Sequence, residues 1–242
     1  MEKWDNAFVQ YGLELSINKA EYMAVTRQQQ HQEDFMIGEQ NIKQTNTFAY
    51  LGSNITSKNE IEADINSRIS KYSKNMGFLY PLLREKEIPR QIKTHIYKTI
   101  LQPILLYGSE TWTLTERLKS KLQAAEMKAL RLIMGVTRRD RKRNTYIRAT
   151  LGVEPLILTI EKNQLRWYGH VRRRGPESRA KELMDWRPTE KRPRGRPRKR
   201  WIDGVKEVLH REGIGIEEAE QLCQDRNEWR RSVHHLSTDR TT

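Results

Sequence analysis

Apolar positions alternate with polar ones near the start of this chain and recur at helical spacing over most of the rest. Between Phe35 and Ile55 the pairs Phe35, Ile37 and Phe48, Tyr50, broken by Gly38 and Gly52, predict hairpin strands. Ahead of them, residues 2 to 11 predict a short helix, and GLEL at 12 to 15 turns the chain toward an extended YMAVTR. Beyond residue 57 the period lengthens. Ile61, Ile65, Ile69, Tyr72, Met76, Leu79 and Leu83 keep steps of four and three, which predicts an amphipathic helix with one inward stripe. Pro89 opens a second helix that carries Ile92, Ile96 and Ile100 until Pro103 bends or ends it. Thr113 and Glu116 stand at capping-box spacing ahead of Leu118, Leu122, Ala125, Ala129 and Leu132. Pro155 starts a further helix whose inward face uses Ile160, Trp167 and Val171 and whose exit carries Arg172, Arg173 and Arg174, cations that suit the helix dipole.

From residue 175 the texture changes. Four of the chain's eight prolines fall between 176 and 197, so residues 175 to 200 predict a basic linker, mostly extended. Helical spacing resumes at Trp201, Val205 and Leu209, breaks at Gly213 and Gly215, and continues through Ala219, Leu222 and Trp229. The expected architecture is mainly α with a minor β part (α+β). A small strand hairpin in a head of residues 1 to 57 is followed by a helical region, 58 to 174, the linker, 175 to 200, and a helical tail, 201 to 242.

Charge adds a partner to this outline. Residues 138 to 200 hold 21 Lys and Arg against 7 Asp and Glu, a surplus equal to the formal charge of +14 on the whole chain. Concentrated in about a quarter of the sequence, such a surplus makes a field able to displace counterions from a polyphosphate, so nucleic acid is the first partner to expect. Apolar residues make up 36% and charged residues 31%, the polar end of globular composition, where long exposed faces or a disordered segment are expected. The single cysteine, Cys223, allows no intrachain disulfide and no thiolate-rich zinc site. MEKWDNAF lacks the apolar core of a secretory signal, and the longest uncharged run, Thr99 to Ser109, is too short to span a bilayer. An intracellular chain without a membrane segment is expected, with the nucleus as its compartment.

Several strings carry a family resemblance together. GLELSINKAEYM at 12 to 23 and FAYLGSNIT at 48 to 56 resemble the region just beyond the active site of non-long-terminal-repeat retrotransposon reverse transcriptases. IYKTILQPILLYGSETW at 96 to 112, ALRLIMGVTRRDRKRN at 129 to 144, LRWYGHVRR at 165 to 173, GRPRKRWIDGV at 195 to 205 and DRNEWRRSV at 225 to 233 look like the thumb and carboxy-terminal portion of the same polyproteins. The resemblance implies that Lys19 is the palm lysine near the incoming nucleotide, followed by Ala20 where the family carries a threonine. It implies that the hairpin with Phe48, Tyr50, Leu51 and Gly52 is a primer grip. The helices after it would then be a thumb that follows the primer-template duplex by backbone and shape.

The resemblance also implies what this chain is without. Family polymerases hold two magnesium ions on a pair of aspartates upstream of the matching palm segment, and those metals drive in-line nucleotidyl transfer. No adjacent Asp-Asp occurs in this sequence. The expectation is the back half of such an enzyme, which binds RNA or DNA mainly through phosphates, uses no cofactor or metal of its own, and does not polymerise alone. The alternative is a nuclear DNA-binding or interaction protein reused from that fragment.

Individual residues keep competing readings. Lys19 reads as a surface lysine or as the palm remnant, and His170 as a packed or surface histidine rather than a metal ligand, since no His or Cys stands at ligand spacing. Trp112, Trp167, Trp201 and Trp229 read as core anchors, with base stacking a second role for Trp201. Arg138, Arg139, Arg141, Lys142 and Arg143 form a solvated loop or a phosphate contact. RPRGRPRKRW at 192 to 201, with Arg194, Arg196, Arg198, Lys199 and Arg200, admits nucleic-acid contact of AT-hook type, a nuclear import signal, or a plain linker.

Overall fold

A computed structural model describes residues 8–13, 16–25, 35–37, 40–58, 60–186, 195 and 199–236. The chain is mainly helical with a small strand region near its amino terminus, as the periodicities predict. It divides into two units, residues 1–67 and 68–242.

In the first unit, Phe8–Gln10 forms one helical turn inside the predicted 2 to 11 helix, and residues 2 to 7 lie outside the described residues. The strands are β1 (Glu21–Tyr22), β2 (Phe35–Ile37), β3 (Gln40–Gln44), β4 (Thr47–Tyr50) and β5 (Ser53–Thr56). β3 is central to a three-stranded sheet, parallel to β1 with Tyr22 opposite Gln44 and antiparallel to β2 with Phe35 opposite Ile42. Ile42 is buried there, and Tyr22 and Phe35 bring their rings to 5.4 Å. β4 and β5 form a separate hairpin in which Phe48 opposes Ile55 and Tyr50 opposes Ser53. Its two-residue loop needs positive φ at both positions, and Leu51 at 47° accepts a conformation that Gly52 at 84° takes without strain. Asp64 ties this hairpin to the helix that follows by accepting from the Asn54 N–H at 2.9 Å.

That helix, α1 (Ile61–Phe78), buries Ile65, Tyr72 and Met76 from the predicted stripe. Pro81 resets the helix at Leu79, and α2 (Tyr80–Arg84) still buries Leu83. α3 (Arg90–Ile96), a π-helical turn (Tyr97–Leu101) and α4 (Gln102–Leu106) then run in succession. Pro103 neither ends the helix nor leaves it regular. Its ring has no N–H and crowds the carbonyl four residues back, and the wider turn just ahead of it absorbs both defects. Ile92 and Ile100 are exposed, whereas Tyr97, Leu101 and Leu105 are buried. The segment carries two interleaved four-spaced apolar rows, and the row of Tyr97, Leu101 and Leu105 faces in. Lys93 is buried with them and donates its ammonium to the Glu85 carbonyl.

α5 (Glu116–Met134) is capped by Thr115, whose hydroxyl accepts from the Leu118 N–H at 3.4 Å. Thr113 is not the cap, because the buried Leu114 follows it and the chain becomes helical only at Glu116. α6 (Asn144–Leu151) and α7 (Leu156–Arg172) complete a junction around Glu126, which has no exposed side-chain surface. Its carboxylate receives Arg148 Nη2 of α6 at 2.5 Å and the Leu156 N–H that opens α7 at 3.1 Å. One buried acid thus fixes the meeting of three helices.

α7 is the spine of the second unit and packs against α5 and against the 3₁₀ turn Ser109–Thr111. Gln164 donates to the Trp112 carbonyl at 2.7 Å to hold that turn. The predicted linker is interrupted by α8 (Arg179–Asp185), a run of good helix formers after Ser178. The tail is α9 (Trp201–Arg211), α10 (Ile216–Leu222) and α11 (Arg226–His234). Val205, Leu209, Ala219, Cys223, Trp229 and Val233 form a core with Leu165 and Tyr168 of α7. Trp112 and Trp229 are core anchors as expected and Trp201 is partly buried, but Trp167 is 39% exposed and does not face the core.

Candidate nucleic-acid interface

The five cations of residues 138 to 143 share one loop between α5 and α6. Gly135 closes α5 in the left-handed region at φ 71°, and the Val136 N–H returns to the Arg131 carbonyl at 3.0 Å. The loop then folds on Asp140, whose carboxylate accepts from the Thr137 N–H at 2.6 Å and the Thr137 hydroxyl at 2.8 Å. Those two bonds, the amide first, hold the Asp140 carboxyl below its ordinary value. The loop's one acid is therefore turned back on its own backbone. Arg138, Arg139, Arg141, Lys142 and Arg143 are all exposed around it. Arg141 takes a left-handed φ of 49° and donates its N–H to the Arg138 carbonyl at 3.2 Å, which fixes the turn that spreads these side chains. Lys142 lies 5.7 Å over the ring of Tyr146, an exposed aromatic on α6. Tyr146 was not legible as a site residue, although an aromatic three residues past a basic run is a usable signal.

The cations at the end of α7 have other work. Arg172 reaches Asp185 of α8 at 2.8 Å and Glu220 of α10 at 3.1 Å, and its guanidinium lies 5.2 Å over the Tyr168 ring. Arg173 donates to the Cys223 carbonyl at 2.8 Å. Both bind the tail to the spine. Arg174 is exposed and meets His170 at 3.2 Å.

Of the basic segment before α9, Lys199 pairs with Glu207, and Arg200 donates to the Trp186 carbonyl at 2.7 Å while its N–H goes to Asp203 at 2.8 Å. Arg194, Arg196 and Arg198 lie outside the described residues. In the first unit, Lys19 ends a 3₁₀ turn (Ile17–Lys19) and is exposed. Phe48, Tyr50 and Leu51 are exposed on the β4–β5 hairpin beside Gly52.

Cys223 is buried, and burial pushes its thiol up to about 12, so it stays protonated at neutral pH. Among the described residues no group of three or more His, Cys, Asp or Glu is placed to hold a metal ion. No helix among them is long and apolar enough to cross a membrane.

Comparison with known proteins gives one informative likeness. Over 206 residues the chain is 28% identical to a Caenorhabditis elegans protein described as transposon-derived and itself uncharacterized, covering 79% of this chain and 71% of the worm protein. No family profile matches the chain, and no solved structure matches it. The likeness to the worm protein supports a transposon origin for this chain.

Proposed function

We propose that the chain is the thumb and carboxy-terminal portion of a non-long-terminal-repeat retrotransposon reverse transcriptase and that it binds RNA or DNA through phosphates. The observation that carries the binding is the loop Arg138 to Arg143, where five cations stand exposed around an acid whose carboxylate is held by the amide and hydroxyl of Thr137. The ordered strings quoted above support the descent, and the transposon-derived relative agrees with it. Phe48 and Tyr50 would touch the growing primer end, and the helical unit would track the duplex. Magnesium would belong to the complete enzyme, held by carboxylates outside this sequence, which has no adjacent Asp-Asp. This chain alone then binds without polymerising.

Salt titration of duplex binding by fluorescence anisotropy tests the reading. Each phosphate neutralised adds about 0.9 to the slope of log affinity on log salt. Replacing Arg138, Arg139 and Lys142 together by Ala should weaken binding and flatten the slope by roughly 2 to 3, the loss of about three phosphate contacts. An unchanged slope would remove the loop from the interface.

A further inference from the structure

A cleft of about 310 Å³ opens where α7, α8 and the start of α9 meet. Trp167, Leu183, Met184, Arg200 and Trp201 line it. Its size is at the low end of small-molecule sites, about 300–1,000 Å³. Trp167 is 39% exposed and stacks on His170 with ring centroids 5.4 Å apart and an interplanar angle of 27°. Trp201 is held more firmly, since its indole N–H donates to the Glu110 carbonyl at 2.7 Å. Leu183 and Trp186 are exposed, by 69% and 57%. A soluble surface does not ordinarily leave that much aromatic and aliphatic area in one place without a partner.

The charge around the cleft points to an anionic partner. His170 stacks on Trp167 and meets Arg174 just beyond the end of α7 at 3.2 Å, and both are exposed, as is Arg166 next to Trp167 in sequence. Arg200 lines the cleft, gives Nη2 to the Trp186 carbonyl and keeps a buried Nη1 without an acceptor, which adds a positive charge to the wall. The carboxylates of the surrounding helices are already engaged: Glu182 with Arg179, Asp185 with Arg172, and Glu207 with Lys199. An apolar peptide would satisfy the rings and leave the cations idle, whereas a flat base on a phosphodiester backbone satisfies both.

We propose that this cleft takes one base of a single-stranded nucleic acid, stacked on Trp167, with the flanking phosphates on Arg166, Arg174 and Arg200. A base in a duplex is already stacked and cannot enter, so the cleft discriminates single strands from duplex. The inference rests on the nucleic-acid reading above but uses a different surface from the Arg138 to Arg143 loop.

Fluorescence anisotropy on the full chain, with labelled oligo(dT) and a labelled duplex at one salt concentration, tests it. Trp167→Ala should weaken oligo(dT) binding about tenfold, within the range of one lost base stack, and leave duplex binding within about twofold. Trp167→Phe should retain most of the affinity. Leu183→Glu, at an exposed position, should cost oligo(dT) a similar factor by placing an anion at the rim. Circular dichroism verifies that each variant is folded. Unchanged oligo(dT) affinity in folded Trp167→Ala and Leu183→Glu overturns the cleft proposal alone. If the wild-type chain binds neither probe, the wider nucleic-acid reading falls with it. A concentration-dependent dimer that Leu183→Glu dissolves would make the cleft a protein interface and overturn the proposal.

Discussion

Trp229 occupies the space in which residue 169 would carry a side chain: a Cβ on Gly169 would stand 2.2 Å from the indole Nε1 and 2.3 Å from Cδ1. The ring lies against the bare backbone of α7, donates Nε1–H to the Leu165 carbonyl at 2.9 Å and sits 5.9 Å from the Tyr168 ring. A glycine inside a helix forgoes roughly 1 kcal/mol relative to alanine. Here that loss admits the anchor by which α11 docks on the spine.

Gly169→Ala should therefore destabilise the protein in spite of its better helix propensity. Overpacking costs about 1–3 kcal/mol and exceeds the propensity gain once the indole hydrogen bond is strained or lost. Thermal unfolding followed by circular dichroism should show a lower midpoint. Limited trypsin digestion should release fragments from the arginine-rich α11 first. A midpoint equal to or above that of wild type would show that the indole shifts at little cost.

Glu126 and Arg148 should behave as a buried pair whose members are worth more together than apart. Glu126→Ala leaves Arg148 uncompensated at the three-helix junction and should cost about 3–5 kcal/mol in urea unfolding. Glu126→Leu combined with Arg148→Met should cost much less than the sum of the two singles. The pH dependence has a definite sign. Burial raises the Glu126 carboxyl above its ordinary value, with Arg148 and the Leu156 N–H pulling the other way. The contribution of a raised acid is full below about pH 4 and is lost as pH rises through the folded value. The stability advantage of wild type over Glu126→Gln should shrink across that window, and an advantage that grew with pH would show the pair outweighing desolvation.

Arg172 separates folding from binding within the basic segment. Its two ion pairs and its place over Tyr168 predict that Arg172→Ala loosens α8 and α10 and lowers the unfolding midpoint. Its duplex-binding salt slope should match wild type, because a guanidinium already held by two carboxylates releases few counterions. A flattened slope with an unchanged midpoint would reverse that assignment.

The helical periodicity was legible wherever one apolar row dominated, as in the stripe of Ile65, Tyr72 and Met76. It left the buried row undecided between Ile92 and Leu105, where two rows compete and a π turn lies between them, a tertiary outcome that spacing does not encode. Charge showed where cations cluster but not which way they turn. Arg138 and Arg172 read alike in sequence, yet one is exposed on a loop and the other held by acids thirteen and forty-eight residues onward. Long-range partners of that kind are set by how helices meet. Trp167 falls on the α7 core spacing in sequence, and its position one step off the buried Tyr168 leaves it at the cleft.

The division of the basic segment into inward and outward cations bears on how copies of this element decay. Arg148 and Arg172 are needed for as long as the polypeptide must fold, whatever else it has ceased to do. Under the proposed binding role, Arg138, Arg139, Arg141, Lys142 and Arg143, exposed on their loop, are preserved by the ligand rather than by folding. In a lineage that still makes the protein but no longer uses it, the loop should drift toward neutrality first, while the junction at Glu126 persists. The relative wear of these two sets of arginines would then date the loss of binding separately from the loss of the fold.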